Sequence, residues 1–147
     1  MPSYNMTATG VGQPALPLKQ CFTVSRRISF VTHPREAADL SSLIDLPANS
    51  LVGVLVNRIT SEGGAATIDI KTSEVSPQVF LDDGSINGTG ILYGDASTGA
   101  GAMVWLFIPV ATTLDVLTNT ASTGTAVIDV KAVIFPFETA LTAAVTT

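Results

Sequence analysis

Apolar and polar residues alternate along most of this chain, most regularly from Gly124 to Phe137. There Ala126, Ile128, Val130, Ala132 and Ile134 make one apolar row at period two. Thr125, Asp129 and Lys131 stand in the other row, with Val127 and Val133. Valine and isoleucine dominate, and their stiff χ1 suits a pleated surface. Thr120 to Gly124 is turn chemistry, and Pro136 removes a ladder donor at the far end. The stretch predicts a strand buried on one face, longer than the usual five or six residues. A strand of that length requires equally long neighbours, and so a substantial sheet.

The same period recurs upstream. From Lys19 to Thr32, Phe22, Val24, Ile28 and Phe30 share a face with Arg26 as the odd member, until His33-Pro34 breaks the strand. Leu51 to Thr60 is apolar on both faces in its first half, which predicts a central strand covered on both sides. Asn57 and Arg58 then mark its emergence into solvent. Ser61 to Ala65 contains Gly63-Gly64, and Ile68 and Ile70 alternate with Thr67, Asp69 and Lys71 beyond it. Spacing and turn type predict that these two strands form a hairpin. Short strands follow at Val79 to Leu81 and Ile86 to Tyr93, with Asp82-Asp83-Gly84 read as the turn between them. Ala102 to Val110 is the most apolar, and Pro109 demotes its end. Thr112 to Thr118 alternates again.

Arg35 to Leu46 admits two readings. Pro34 and Glu36 could open a short helix carrying Ala37, Leu40, Ser41 and Ile44, but the β surroundings favour a strand or irregular structure. Residues 1–18 hold three prolines and two glycines without periodicity and read as an extended arm. Residues 138–147 read as a short tail. Seven to nine strands with regular turn signals and no clear helix predict an all-β sandwich or closed barrel spanning residues 19–137.

Composition adds one strong statement. The chain has 147 residues, 46% hydrophobic but only 13% charged, against about 25% charged in ordinary soluble domains. A monomer so poor in charge cannot easily cover itself with polar groups, so part of its surface is expected to be buried in an assembly. The net charge of −5 offers no electrostatic footprint for nucleic acid. Ala102 to Ala111 falls far short of the roughly 20 apolar residues that span a bilayer, so no membrane partner is expected. The N-terminus lacks the pattern of a signal peptide, and the single Cys21 fits synthesis in a reducing compartment.

Catalytic chemistry is scarce. His33 is the only histidine and Cys21 the only thiol, some twelve residues apart near opposite ends of one strand, so they cannot form a nucleophilic pair. Cys21 reads as a buried, inert thiol and His33 as a loop residue. No serine sits in a Gly-x-Ser-x-Gly elbow. Asp82 to Gly88 lacks the acidic spacing of a calcium loop, and Gly88-Thr89-Gly90 and Thr98 to Gly101 do not link a strand to a helix. No catalytic residue, metal site or cofactor is expected. Met103, Trp105 and Phe107 share one face of a strand apolar on both sides, which is either a second core layer or a subunit interface. Arg26-Arg27, the only basic pair, reads as solvated or part of an interface.

Three stretches together carry a resemblance. They are Leu46-Pro47-Ala48-Asn49-Ser50 leading into Leu51 to Asn57, the Gly63-Gly64 turn into Ala65 to Ile70, and a closing pair, Leu114-Asp115-Val116 with Thr123 to Val130, joined by a Thr/Gly turn. This pattern, covering roughly Ile44 to Phe135, resembles small jelly-roll structural proteins of tailed bacteriophage virions, the capsid decoration or cement class. The resemblance implies a jelly-roll antiparallel sandwich and a non-catalytic protein made in the host cytoplasm. It further implies a homotrimer on the capsid surface that binds the major capsid protein across subunit junctions. Residues 73–101 depart from the resemblance. The alternative is a jelly-roll module of a phage fibre or tail tip recognising glycans, for which Tyr93, Asp95, Asp82, Asp83 and Asn87 are the only aromatic–carboxylate–amide cluster.

Overall fold

A computed structural model describes residues 20–95, 102–121 and 124–137. The predicted arm and tail, and the Thr98 to Gly101 glycine run, lie outside them. The described residues form strands and connecting turns with no helix: β1 (Phe22–Ser29), β2 (Leu40–Leu46), β3 (Ser50–Thr60), β4 (Thr67–Thr72), β5 (Val79–Ser85), β6 (Gly90–Leu92), β7 (Gly94–Asp95), β8 (Trp105–Ile108), β9 (Thr112–Thr118) and β10 (Val127–Pro136). The first sheet runs β1-β10-β3, with β6 and β8 both beyond β3, and the second runs β2-β9-β4-β5-β7. Apart from the β4–β5 pair, successive strands alternate between the sheets, which makes this a jelly-roll sandwich.

β10 lies at the middle of the first sheet, antiparallel to β1 on one side and β3 on the other. Ile128, Val130, Ala132 and Ile134 are buried, as their row requires, and Val52, Val54 and Val56 of β3 lie in register with that row. Across the core, β9 and β4 present Leu114, Val116, Ile68 and Ile70, and Phe30 and Phe80 are also fully buried. Burying each such side chain contributes about 1.5–3 kcal/mol, which is the main force holding the layers together.

Two expected pairings are corrected. β3 and β4 do not form a hairpin, because β3 belongs to the first sheet and β4 to the second. β9 and β10 likewise sit in different sheets, so the closing pair is also a crossing between layers. A short loop can turn a chain back beside itself or carry it over the core, and alternation alone does not distinguish the two. Asp82-Asp83-Gly84 is not a turn either. It lies inside β5, where the register against β4 shifts and Asp83 takes φ 49°. Such an irregularity is a bulge, and Asp-Gly serves it for the same reason it serves turns. The Arg35 to Leu46 stretch resolves as turns followed by β2, without a helix.

The strand beyond β3 is split. β6 pairs with Val56 to Arg58 and β8 with Ser50 to Gly53. Between them the chain leaves for the second sheet, where β7 runs parallel to β5 at Leu81 and Asp82. Gly94, at φ 71°, lies under the Ala102 carbonyl, whose oxygen would overlap a Cβ placed there. Only glycine permits that approach.

Candidate subunit interface

The outer face of the first sheet brings three of the five candidate residues together, Met103, Trp105 and Phe107, and carries Arg27 at its other end. β8 pairs Trp105 with Gly53 and Phe107 with Leu51, so both rings stand on the outer face, while Leu106 and Ile108 turn into the core. Trp105 is 42% and Phe107 51% exposed, which excludes a closed second core layer. Gly53 provides the seat for this cluster. A Cβ there would meet Met103 Cε at 2.6 Å and the Trp105 ring at 2.8 Å. The β3 strand is therefore covered on its outer side at this point by Met103 and Trp105.

Three further side chains join. Trp105 meets Phe135 with ring centroids 5.7 Å apart at 55°, a tilted arrangement within the range aromatic pairs favour. Leu51 is half-buried opposite Phe107. Phe137 continues the Phe135 row, its N–H donating to the Asn49 carbonyl at 2.7 Å, and remains 40% exposed. The sequence carried a signal for these two phenylalanines, because the non-core row of the last strand turns apolar at Val133 and stays so through Phe135 and Phe137.

The other end of this face is polar. Arg27 donates from Nε to Asp129 Oδ1 at 2.8 Å and from a terminal nitrogen to Oδ2 at 3.0 Å. These hydrogen bonds hold the Asp129 carboxyl below its ordinary range, against a desolvation that acts the other way, with the charges of Arg27 and Lys131 adding to the lowering. The same bonds, and then the Asp129 charge, raise the Arg27 guanidinium. Arg26 is separate. Its partner in β10 is Val130, so it stands on the core-facing row at the sheet edge and is exposed there.

Of the alternative glycan cluster, β7 sets Asp95 beside Asp82 and close in sequence to Tyr93, while Asp83 and Asn87 are engaged elsewhere. Tyr93 is exposed, but the Asp83 carboxylate accepts from Asn119 Nδ2 at 2.9 Å, and that donor also reaches Asp69 at 2.6 Å. Asn87 is taken up at one end of the sandwich, where its Oδ1 accepts from Ser61 Oγ at 2.9 Å. His33 sits in an exposed turn beside Thr32, as expected. Cys21 corrects its expectation, being exposed just ahead of β1. Among the described residues no group of three His, Cys, Asp or Glu is placed to hold a metal ion.

Two residues that hold the fold were not legible as such. Arg58 is half-buried where β3 emerges, and its side chain is not free in solvent. It donates to the carbonyls of Ser85, Asn87, Thr89 and Gly90 at 3.0–3.3 Å, fixing the 85–90 turn. Glu62, in the loop after β3, is buried. Its two carboxylate oxygens accept from the Gly124 and Ala126 N–H groups, each at 2.9 Å.

No protein-family model and no curated protein sequence matches the chain. In fold it is similar to a chain of the cyanophage Pam1 capsid asymmetric unit, with a TM-score of 0.59 at 12% identity over 92% of this chain and 99% of that one. It is also similar to a chain of the capsid of Ralstonia phage GP4, with a TM-score of 0.52 at 12% identity over 83% and 88%. At such identities what is shared is the architecture, and that architecture is the jelly-roll sandwich of phage capsid proteins.

Proposed function

We propose that this protein is a non-catalytic structural component of a tailed-phage virion, a capsid decoration or cement protein. In this reading it is a homotrimer on the capsid surface that binds the major capsid protein across subunit junctions. The observation that carries the reading is the aromatic cluster of Met103, Trp105, Phe107 and Phe135, left open on one face of a molecule with few charges. Aromatic residues and methionine are enriched in protein interfaces, and charges are depleted at their centres. Because 92% of this chain spans 99% of the Pam1 chain, the two are of similar length. That supports a small jelly roll as a capsid component.

Trp105 packs on Phe135 and, with Met103, over Gly53, so these side chains form one apolar patch of the kind a protein partner buries. The test is recruitment to phage heads lacking this protein. Wild type is expected to bind at saturating stoichiometry, and Trp105→Glu to remain folded yet fail to bind. A folded wild type that ignores such heads overturns the reading.

A further inference from the structure

The sandwich has four sheet edges, and three of them are interrupted. β2 carries a register shift between Ser42 and Ile44. The edge beyond β3 is divided between β6 and β8, and β7 has two residues. Short, bulged or broken edges resist pairing with another chain. β1 has none of these protections. Its eight residues contain no proline and pair with β10 in unbroken register from Phe22 to Ser29. Its other side has no strand beside it among the described residues. Phe22 also stands in the core-facing row, opposite fully buried Ile134, yet is 43% exposed. The core is unsealed at this edge.

We propose that a second copy of this chain pairs along β1, antiparallel about a two-fold axis through Ser25, so that two first sheets continue as one. Such an axis, perpendicular to the sheet, keeps core-facing rows together. It sets Phe22 opposite Ile28 of the second copy, Val24 opposite Arg26, and Thr23 opposite Arg27. Ser25 meets its own counterpart. No like charges face each other, and Arg27 is already neutralised by Asp129. Moving the axis to Arg26 would place arginine against arginine, which is destabilising. The arginines therefore exclude the registers centred on Arg26 and Arg27, and of those left the one through Ser25 pairs the longest stretch of β1, Phe22 to Ile28. The contact is two-fold, so, resting on the proposed homotrimer, it joins copies from different trimers.

The register is tested by disulfide trapping in a Cys21→Ser background. Cβ atoms directly opposite in an antiparallel pair lie about 4.5–5.5 Å apart, near the reach of a disulfide. Ser25→Cys is expected to give a covalent dimer under mild oxidation, while Thr23→Cys, four positions from its own counterpart, stays reduced. Ser25→Lys, on the exposed outer row, should fold normally and halve the mass seen by light scattering. Failure of the Ser25→Cys variant to form a disulfide, or equal trapping at position 23, overturns the proposal. A disulfide that appears only after deletion of residues 1–19 also overturns it, since the chain's own leading segment would then occupy the edge.

Discussion

The two sheets cover one core but face outward with opposite chemistry. The outer side of the second sheet carries Asp45, Thr113, Asp115, Lys71, Asp69 and Thr67 across β2, β9 and β4, with Leu40, Leu117 and Val79 as scattered aliphatic members and no aromatic ring among them. Several of its polar groups are bound to one another. Thr113 Oγ1 donates to Asp115 at 2.8 Å, and Asn119 joins Asp69 to Asp83. The outer side of the first sheet places its one ion pair at one end and leaves Trp105, Phe107, Phe135 and Phe137 at the other. Equal inner rows thus hide a division of labour. A face whose polar groups are mutually satisfied gains little from a partner, whereas exposed aromatic rings gain by losing water.

The strongest way to break this contrast is to place the same change on both faces. Phe107→Glu should reduce head binding by more than about 30-fold, as expected for a central aromatic anchor worth about 2 kcal/mol or more. Leu117→Glu, on the outer row of β9, should change binding less than twofold in the same titration. Equal losses would mean that the second sheet also makes contact. A smaller effect is expected from Gly53→Ala. The added methyl must displace Met103 and the Trp105 ring, so it should cost about 1–3 kcal/mol in denaturant melts. Binding should weaken with it, because the rings leave their seat.

The smallest effect is electrostatic. Asp129 has its carboxyl lowered by Arg27, so the folded state holds its proton less tightly than the unfolded chain does. The stability this confers is complete above the ordinary carboxylate range and disappears as pH falls through the lowered folded value. Acid melts of wild type and Asp129→Asn should therefore converge at low pH and differ slightly near neutrality. The exposure of Arg27 keeps that difference small and sensitive to salt.

Much of this layering was written in the alternation of residues. The inward rows of β3, β4, β9 and β10 follow from period two, as does the shared face of Trp105 and Phe107, though not which way that face points. What alternation omits is which sheet a strand joins. The loop of residues 61–66 is short enough for a hairpin, yet it carries the chain across the core. The roles of Arg58 and Glu62 were also invisible, because their partners are main-chain groups about 30 and 60 residues away. A residue that binds backbone leaves no complementary side chain to notice. The open aromatic face was half legible. Its β8 members stood out as a cluster, while Phe135 was lost beside the polar members of its own row.

Arg58 has a consequence for how this surface can change over generations. It grips the 85–90 turn through carbonyl oxygens alone, and every residue type supplies one. Only Gly88 and Gly90, at φ 115° and 98°, are bound to their identity by backbone conformation. Thr89, which contributes only its carbonyl, could be exchanged for many other residues without altering the path of the chain. The turn is a fixed frame with replaceable contents, and its shape is inherited through a codon some thirty positions away.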